Sequence, residues 1–167
     1  MAPVLSMVLV VAAITAPPAS VSYEQFNVND SVPKLASGVD LTSHPRGRTY
    51  RTLLRTAAQE PPDFAGHYKI VRIGCGTSCV TIAVIDRATK KVFFPKILGV
   101  IQWANWYCKD YGPDYRLDSR LLVIRGTYGT EEAAPGLAYF EWRNGDFRLL
   151  KFDPANCPEP VATDPEG

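Results

Sequence analysis

The sequence predicts an α+β domain: one N-terminal helix packed on a mainly antiparallel sheet of about six strands, stapled by disulfides. Three observations carry this. Only residues 45–59 have helical periodicity. From residue 67 onward, apolar and β-branched runs follow one another across short turns with no helical pattern between them, which favours antiparallel pairing. Four cysteines, an even number, stand in a chain that begins like an exported one.

That beginning reads MAPVLSMVLVVAAITAPPASVSYEQF. Residues 4–16 are apolar apart from Ser6 and Thr15. The run falls short of the roughly 20 apolar residues of a membrane span and matches the apolar region of a secretory signal. Pro17 and Pro18 end it, and Ser20-Val21-Ser22 sets small side chains where a signal peptidase reads, so cleavage is expected before Tyr23. No Lys or Arg precedes the apolar run, so only the amino group supplies the positive start. The competing reading is an apolar helix that stays attached. No cysteine near the cleavage region suggests a lipid anchor. Residues 1–22 are therefore read as a signal peptide, and the mature protein as periplasmic or extracellular with no membrane span.

Residues 23–41 are polar and mixed, a leader segment lying on the domain. The single globular domain is placed at 42–157, with an irregular tail at 158–167. Within it, Tyr50, Leu53, Leu54, Ala57 and Ala58 form one helical stripe, with Arg48, Arg51 and Arg55 off it toward water. Ser43 is the expected N-cap, Pro45 fits the first turn, and Pro61-Pro62 forbids continuation. Strands are expected at 67–73, 80–85, 92–94, 97–102, 121–124, 137–143 and 146–152. The run at 80–85 is nearly continuous in apolar residues and reads as a central strand. Asn144-Gly145 between the last two is a strong two-residue hairpin signal, because both turn positions need positive φ.

The 18 basic and 17 acidic side chains leave the chain near neutrality, which gives no argument for nucleic acid. No repeat or low-complexity tract is evident. The cysteines are Cys75, Cys79, Cys108 and Cys157. Local pairing of Cys75 with Cys79 is favoured, since Gly74 and Gly76 permit the backbone of so small a ring. Cys108 with Cys157 would then pin the long middle loop to the tail. The rival pairing sends Cys75 and Cys79 to distant partners. Redox catalysis wants Cys-x-x-Cys at a helix N-terminus; here the spacing has one residue more and a strand follows. Zinc on these cysteines with His67 matches no common spacing and suits an oxidising compartment poorly. Neither a metal nor a cofactor is expected.

Phe64-Ala-Gly-His-Tyr68, Gly74-Cys-Gly-Thr-Ser-Cys79, Ile85-Asp86 with Val92, Asp118-Ser-Arg-Leu-Leu122 and Glu141-Trp142-Arg-Asn-Gly145 together resemble a family of small exported bacterial proteins of unknown function. The resemblance covers roughly residues 42–152. The chain departs from the family's Asp-x-x-Thr-Gly-Lys-Val turn at Lys91, where glycine is usual, which leaves the turn type open. The resemblance implies export and a single domain and carries no activity across.

His67 is one of two histidines, a candidate general base set against a structural histidine at a strand start. Ser78 lacks the G-x-S-x-G context of a serine nucleophile. Glu131-Glu132 are adjacent, unlike a glycosidase pair, and read as a solvated loop. Trp103, Trp106, Tyr107 and Tyr111 crowd one segment, a candidate platform for a sugar polymer or a protein partner, or else a cluster packing the loop onto the sheet. The leading expectation is a non-enzymatic binding or inhibitor module of the cell envelope. The alternative is a small hydrolase or thiol-dependent enzyme using His67 near the Cys75–Cys79 loop.

Overall fold

The computed structural model describes residues 20–28, 34–103, 108, 110–130 and 132–155. Most of the expected signal peptide, together with Trp106, Tyr107 and Cys157, lies outside the described residues. Among those described there is one α-helix, α1 (Arg51–Ala57), and eight strands. They are β1 (Tyr68–Gly76), β2 (Cys79–Asp86), β3 (Val92–Phe93), β4 (Ile101–Gln102), β5 (Gly112–Tyr115), β6 (Leu121–Gly126), β7 (Gly136–Arg143) and β8 (Asp146–Pro154).

The architecture is α+β with antiparallel pairing, but the strands form two four-stranded sheets and not one. In the first, β1 takes one edge of β2, while β3 and β4 share the other, opposite Val84-Ile85 and Cys79-Val80 respectively. The second is a meander in the order β5-β6-β7-β8. The reason lies in β2. Ile82 and Val84 face one core, Ala83 and Ile85 another, and all four are buried. A strand buried on both faces needs a layer on each side. α1 covers one with Leu54, Ala57 and Ala58. The second sheet covers the other with Leu122, Ile124, Ala138, Phe140, Trp142 and Phe147. Gln102 pairs with Thr127, and Gly99 with Gly129, lacing the first sheet to the chain beyond β6.

The helix is shorter than its apolar stripe. Residues 45–47 form a 3-10 turn and 48–50 a further turn before α1 begins. His44, not Ser43, caps the turn: its Nδ1 accepts from the Arg46 N–H at 3.1 Å. The Ser43 hydroxyl instead donates to Asp40 O and accepts from Val92 N, tying the leader to β3. Of the stripe, Leu54, Ala57 and Ala58 are buried, while Leu53 is exposed.

Strand β5 stands in a stretch where no strand was expected. Gly112-Pro113 reads as a turn, but β5 is the sheet's edge, where a residue without an N–H is tolerated. β4 spans two residues where 97–102 was expected, because Lys96 to Leu98 turn first. In the turn after β2 the positive φ falls at Lys90 (68°), the position where the Asp-x-x-Thr-Gly-Lys-Val pattern counted from Asp86 has its glycine, so the departure expected at Lys91 is corrected to Lys90. Asp86 Oδ1 holds that turn by accepting from the Ala88 and Thr89 N–H groups. Asn144 and Gly145 have φ of 54° and 82°, as the hairpin reading requires. The leader docks on the second sheet: Tyr23–Phe26 make a 3-10 turn and Asn27 pairs with Ser119.

Candidate functional site

The β1–β2 hairpin reverses at Thr77-Ser78, with Ser78 at φ 55° and Gly76 at φ 140°. Cys75 sits in an irregularity between Gly74 and Gly76, and its sulfur is bonded to Cys79 across a Cα–Cα distance of 5.3 Å. The local pairing is therefore present. Cys108 is also disulfide-bonded; its expected partner, Cys157, lies outside the described residues. Among the described residues no cysteine is free, and no cluster of three His, Cys, Asp or Glu groups is placed to hold a metal.

Beside this staple lies the aromatic segment. The Trp103 N–H donates to Ser78 O at 3.1 Å, which fixes the tryptophan against the disulfide loop. Its ring is half-buried against the core between the sheets. Tyr111 stacks on it, with ring centroids 5.5 Å apart and planes 25° apart, and stays 64% exposed. The stack is therefore seated on one side and open on the other. Glycine at 112 helps: at φ +84° it turns the chain into β5, and a side chain there would abut the Trp103 ring.

Arg72, on the inner face of β1, extends the site. Its guanidinium donates to Pro113 O at 2.9 Å and lies 5.5 Å over the Tyr115 ring, clamping the edge of one sheet to the edge of the other. Burial, then the nearby Asp63 carboxylate, push the Tyr115 phenol up, so it stays a neutral hydroxyl. In sequence, Arg72 falls within the strand expected at 67–73 and has no role assigned beyond it. An Arg alternating with Tyr68 and Ile70 on one face was the available signal that this face meets a polar partner.

His67 stands elsewhere. Its Nε2 is 3.6 Å from Asp86 Oδ1, the oxygen already accepting two turn N–H groups, and its ring lies 4.2 Å from that of Tyr68. Its carbonyl accepts from Arg87 N, and Ala65 and Gly66 before it both have positive φ. These contacts fix where β1 begins. His67 opens the hairpin and the disulfide loop closes it, eight residues on, roughly 26 Å at strand rise. The structure thus brings Trp103, Tyr111 and the Cys75–Cys79 loop together and leaves His67 at the opposite end. An enzyme drawing on His67 and this loop at once would have to bridge that length.

A separate apolar cleft of about 360 Å³ lies among Tyr128, Gly129, Thr130, Ala133, Ala134 and Phe152. Among the described residues that line it, Tyr128 is the one with a titratable side chain. No family model, no curated protein and no solved structure matches this chain.

Proposed function

We propose that the chain is a non-enzymatic binding module of the bacterial cell envelope, and that the Trp103–Tyr111 stack is its contact surface. The observation that carries this is the half-seated, half-open stack: Trp103 is held by the core and by Ser78 O, while Tyr111 lies 64% exposed upon it. Exposing so large a ring gains nothing for folding. A rigid aromatic face offers large contact area at little entropic cost, and the apolar faces of sugar rings suit it. The disulfide staples suit an oxidising compartment, in keeping with the signal-like residues 1–22. The F-A-G-H-Y and G-C-G-x-x-C motifs support membership in the family of small exported bacterial proteins they resemble.

The test is calorimetric titration of the protein from the exported fraction with soluble cell-wall glycan fragments. Tyr111→Ala is expected to weaken binding at least about tenfold, since one well-seated aromatic contributes on the order of 2 kcal/mol at an interface, while leaving thermal unfolding unchanged. Trp103→Ala is the poorer probe, because that ring also packs on the core. Absence of binding across the glycan panel overturns the glycan reading. Stoichiometric inhibition of a wall hydrolase in that case would move the function to an inhibitor module.

A further inference from the structure

A second surface, remote in sequence from the aromatic stack, is marked by charge. Arg46, Arg48, Arg51 and Arg55 stand within ten residues around α1, and Lys90, Lys91 and Lys96 lie on the turns that flank β3. All seven are exposed. The two groups are joined in space. The leader's Asp40 N donates to Lys90 O, and Ser43 Oγ accepts from Val92 N. His44 packs on Phe94, and burial, then the charges of Arg46 and Lys96, hold its imidazole below the usual range.

The seven share a second property. Among the described residues none makes an ion pair with a carboxylate, whereas Lys69, Arg116, Arg120, Arg125, Arg148 and Lys151 each lie 3.9 Å or less from one. Arg46 instead lies over the rings of Phe94 and Tyr50, at 4.5 and 5.3 Å, which holds its charge outward without neutralising it. Asp40, six residues before Arg46, is engaged with Thr42 N and Oγ1, and these bonds, with a smaller contribution from the Lys91 charge, lower its pKa. Glu60, past the helix end, is bound to Lys69. Lys34, Arg72, Arg87 and Arg143 also lack an ion pair, so seven of the eleven described cations without one belong to these two groups, which meet where Arg46 and Lys96 both act on His44. Local repulsion opposes such an arrangement unless an anionic partner relieves it.

Arg51 and Arg55, four residues apart, line one side of α1, and Arg48 stands in the turn just before it, so the three border a convex ridge. A ridge does not enclose a small anion, but it lies well against an extended anionic plane. Two exposed apolar side chains border the cations: Ile97 beside Lys96, 38% exposed, and Leu53, 39% exposed, on the opposite flank of α1 from Arg51 and Arg55. A dissolved polyanion has little use for them, whereas the boundary between headgroups and acyl chains receives both charge and apolar groups.

We infer that the α1 face, with Lys90, Lys91 and Lys96, is a peripheral docking surface for an anionic phospholipid membrane, holding the protein beside the bilayer without spanning it. This inference does not rest on the aromatic stack. The full chain is sedimented with vesicles of phosphatidylcholine alone and with vesicles also containing phosphatidylglycerol. The neutral vesicles report any insertion by apolar residues 4–16, which does not depend on lipid charge. Partitioning is expected to be stronger onto the anionic vesicles, and the excess to vanish in about 1 M salt, where screening falls to about 3 Å. The variant Arg48→Gln/Arg51→Gln/Arg55→Gln should lose at least about tenfold of that excess, with unchanged thermal unfolding. Arg116→Gln/Arg148→Gln, which removes paired cations elsewhere, should lose none. Equal partitioning onto both vesicle types, an excess that survives salt, or an excess the triple variant retains overturns the proposal. Retention on a soluble polyphosphate without an excess on anionic vesicles overturns it too, and assigns the face to a polyanion.

Discussion

At the scale of single residues, backbone geometry and buried charge make the sharpest demands. Gly126 ends β6 at φ +138°, and a Cβ there would stand 2.2 Å from Gln102 O. Gly126→Ala meets both a disfavoured dihedral and an immovable carbonyl, so it should cost about 2 kcal/mol or more, read as a lower urea midpoint at unchanged slope. Lys69 makes a different demand. Burial works against its charge, but its Nζ lies 2.8 Å from Asp63 and 2.7 Å from Glu60, and those bonds push its pKa above the ordinary 10.5. A cation with a raised folded pKa stabilises fully below the unfolded value and loses that contribution as pH rises through the folded one. Wild type should therefore lose stability more steeply than Lys69→Gln on the alkaline side of 10.5, measured as urea midpoint against pH. A parallel decline in both would show that the two ion pairs contribute nothing.

At the scale of elements, burial separates neighbours that look alike in sequence. Leu53 and Leu54 both belong to the helical stripe, but Leu54 is fully buried while Leu53 is 39% exposed. Leu54→Ala should cost about 2–5 kcal/mol and Leu53→Ala a small fraction of that, compared by chemical denaturation. The ring closed by Cys75 and Cys79 is small. Replacing both with serine should cost about 2 kcal/mol on the loop-entropy account and leave the protein folded. Much at this scale was legible. The runs at 80–85, 121–124, 137–143 and 146–152 became β2, β6, β7 and β8, and Asn144-Gly145 supplied the turn between the last two. Two elements were misread for a physical reason. β5 hides behind Gly112-Pro113, a turn signal that an edge strand tolerates. The first turns before α1 tighten because His44, and not Ser43, supplies the cap.

At the scale of the whole molecule, the second sheet was the missing layer. One short helix covers one face of β2, and the continuous apolar run at 80–85 asked for cover on both; that count of layers was available in the sequence and points to a sandwich. The site was legible in composition and illegible in arrangement. The aromatic crowd at 103–111 and the glycine-flanked cysteines stand out as strings, but their contact through Trp103 N and Ser78 O depends on β4 pairing beside the hairpin's closed end. His67 looked near the cysteines because eight residues is a short interval in sequence; in an extended strand it is the full length of the hairpin. Alkylation in denaturant without reductant should label no cysteine, in keeping with bonded Cys75, Cys79 and Cys108; labelled Cys75 or Cys79 would reopen thiol chemistry. The recognition proposed here belongs to the aromatic end of the hairpin and not to the histidine end. The most direct measurement is a nuclear magnetic resonance titration of the protein from the exported fraction with soluble cell-wall glycan fragments. Shifts are expected to concentrate at Trp103, Tyr111 and residues 75–79, with His67 unmoved. Shifts centred on His67 and Asp86, or none anywhere, would contradict it.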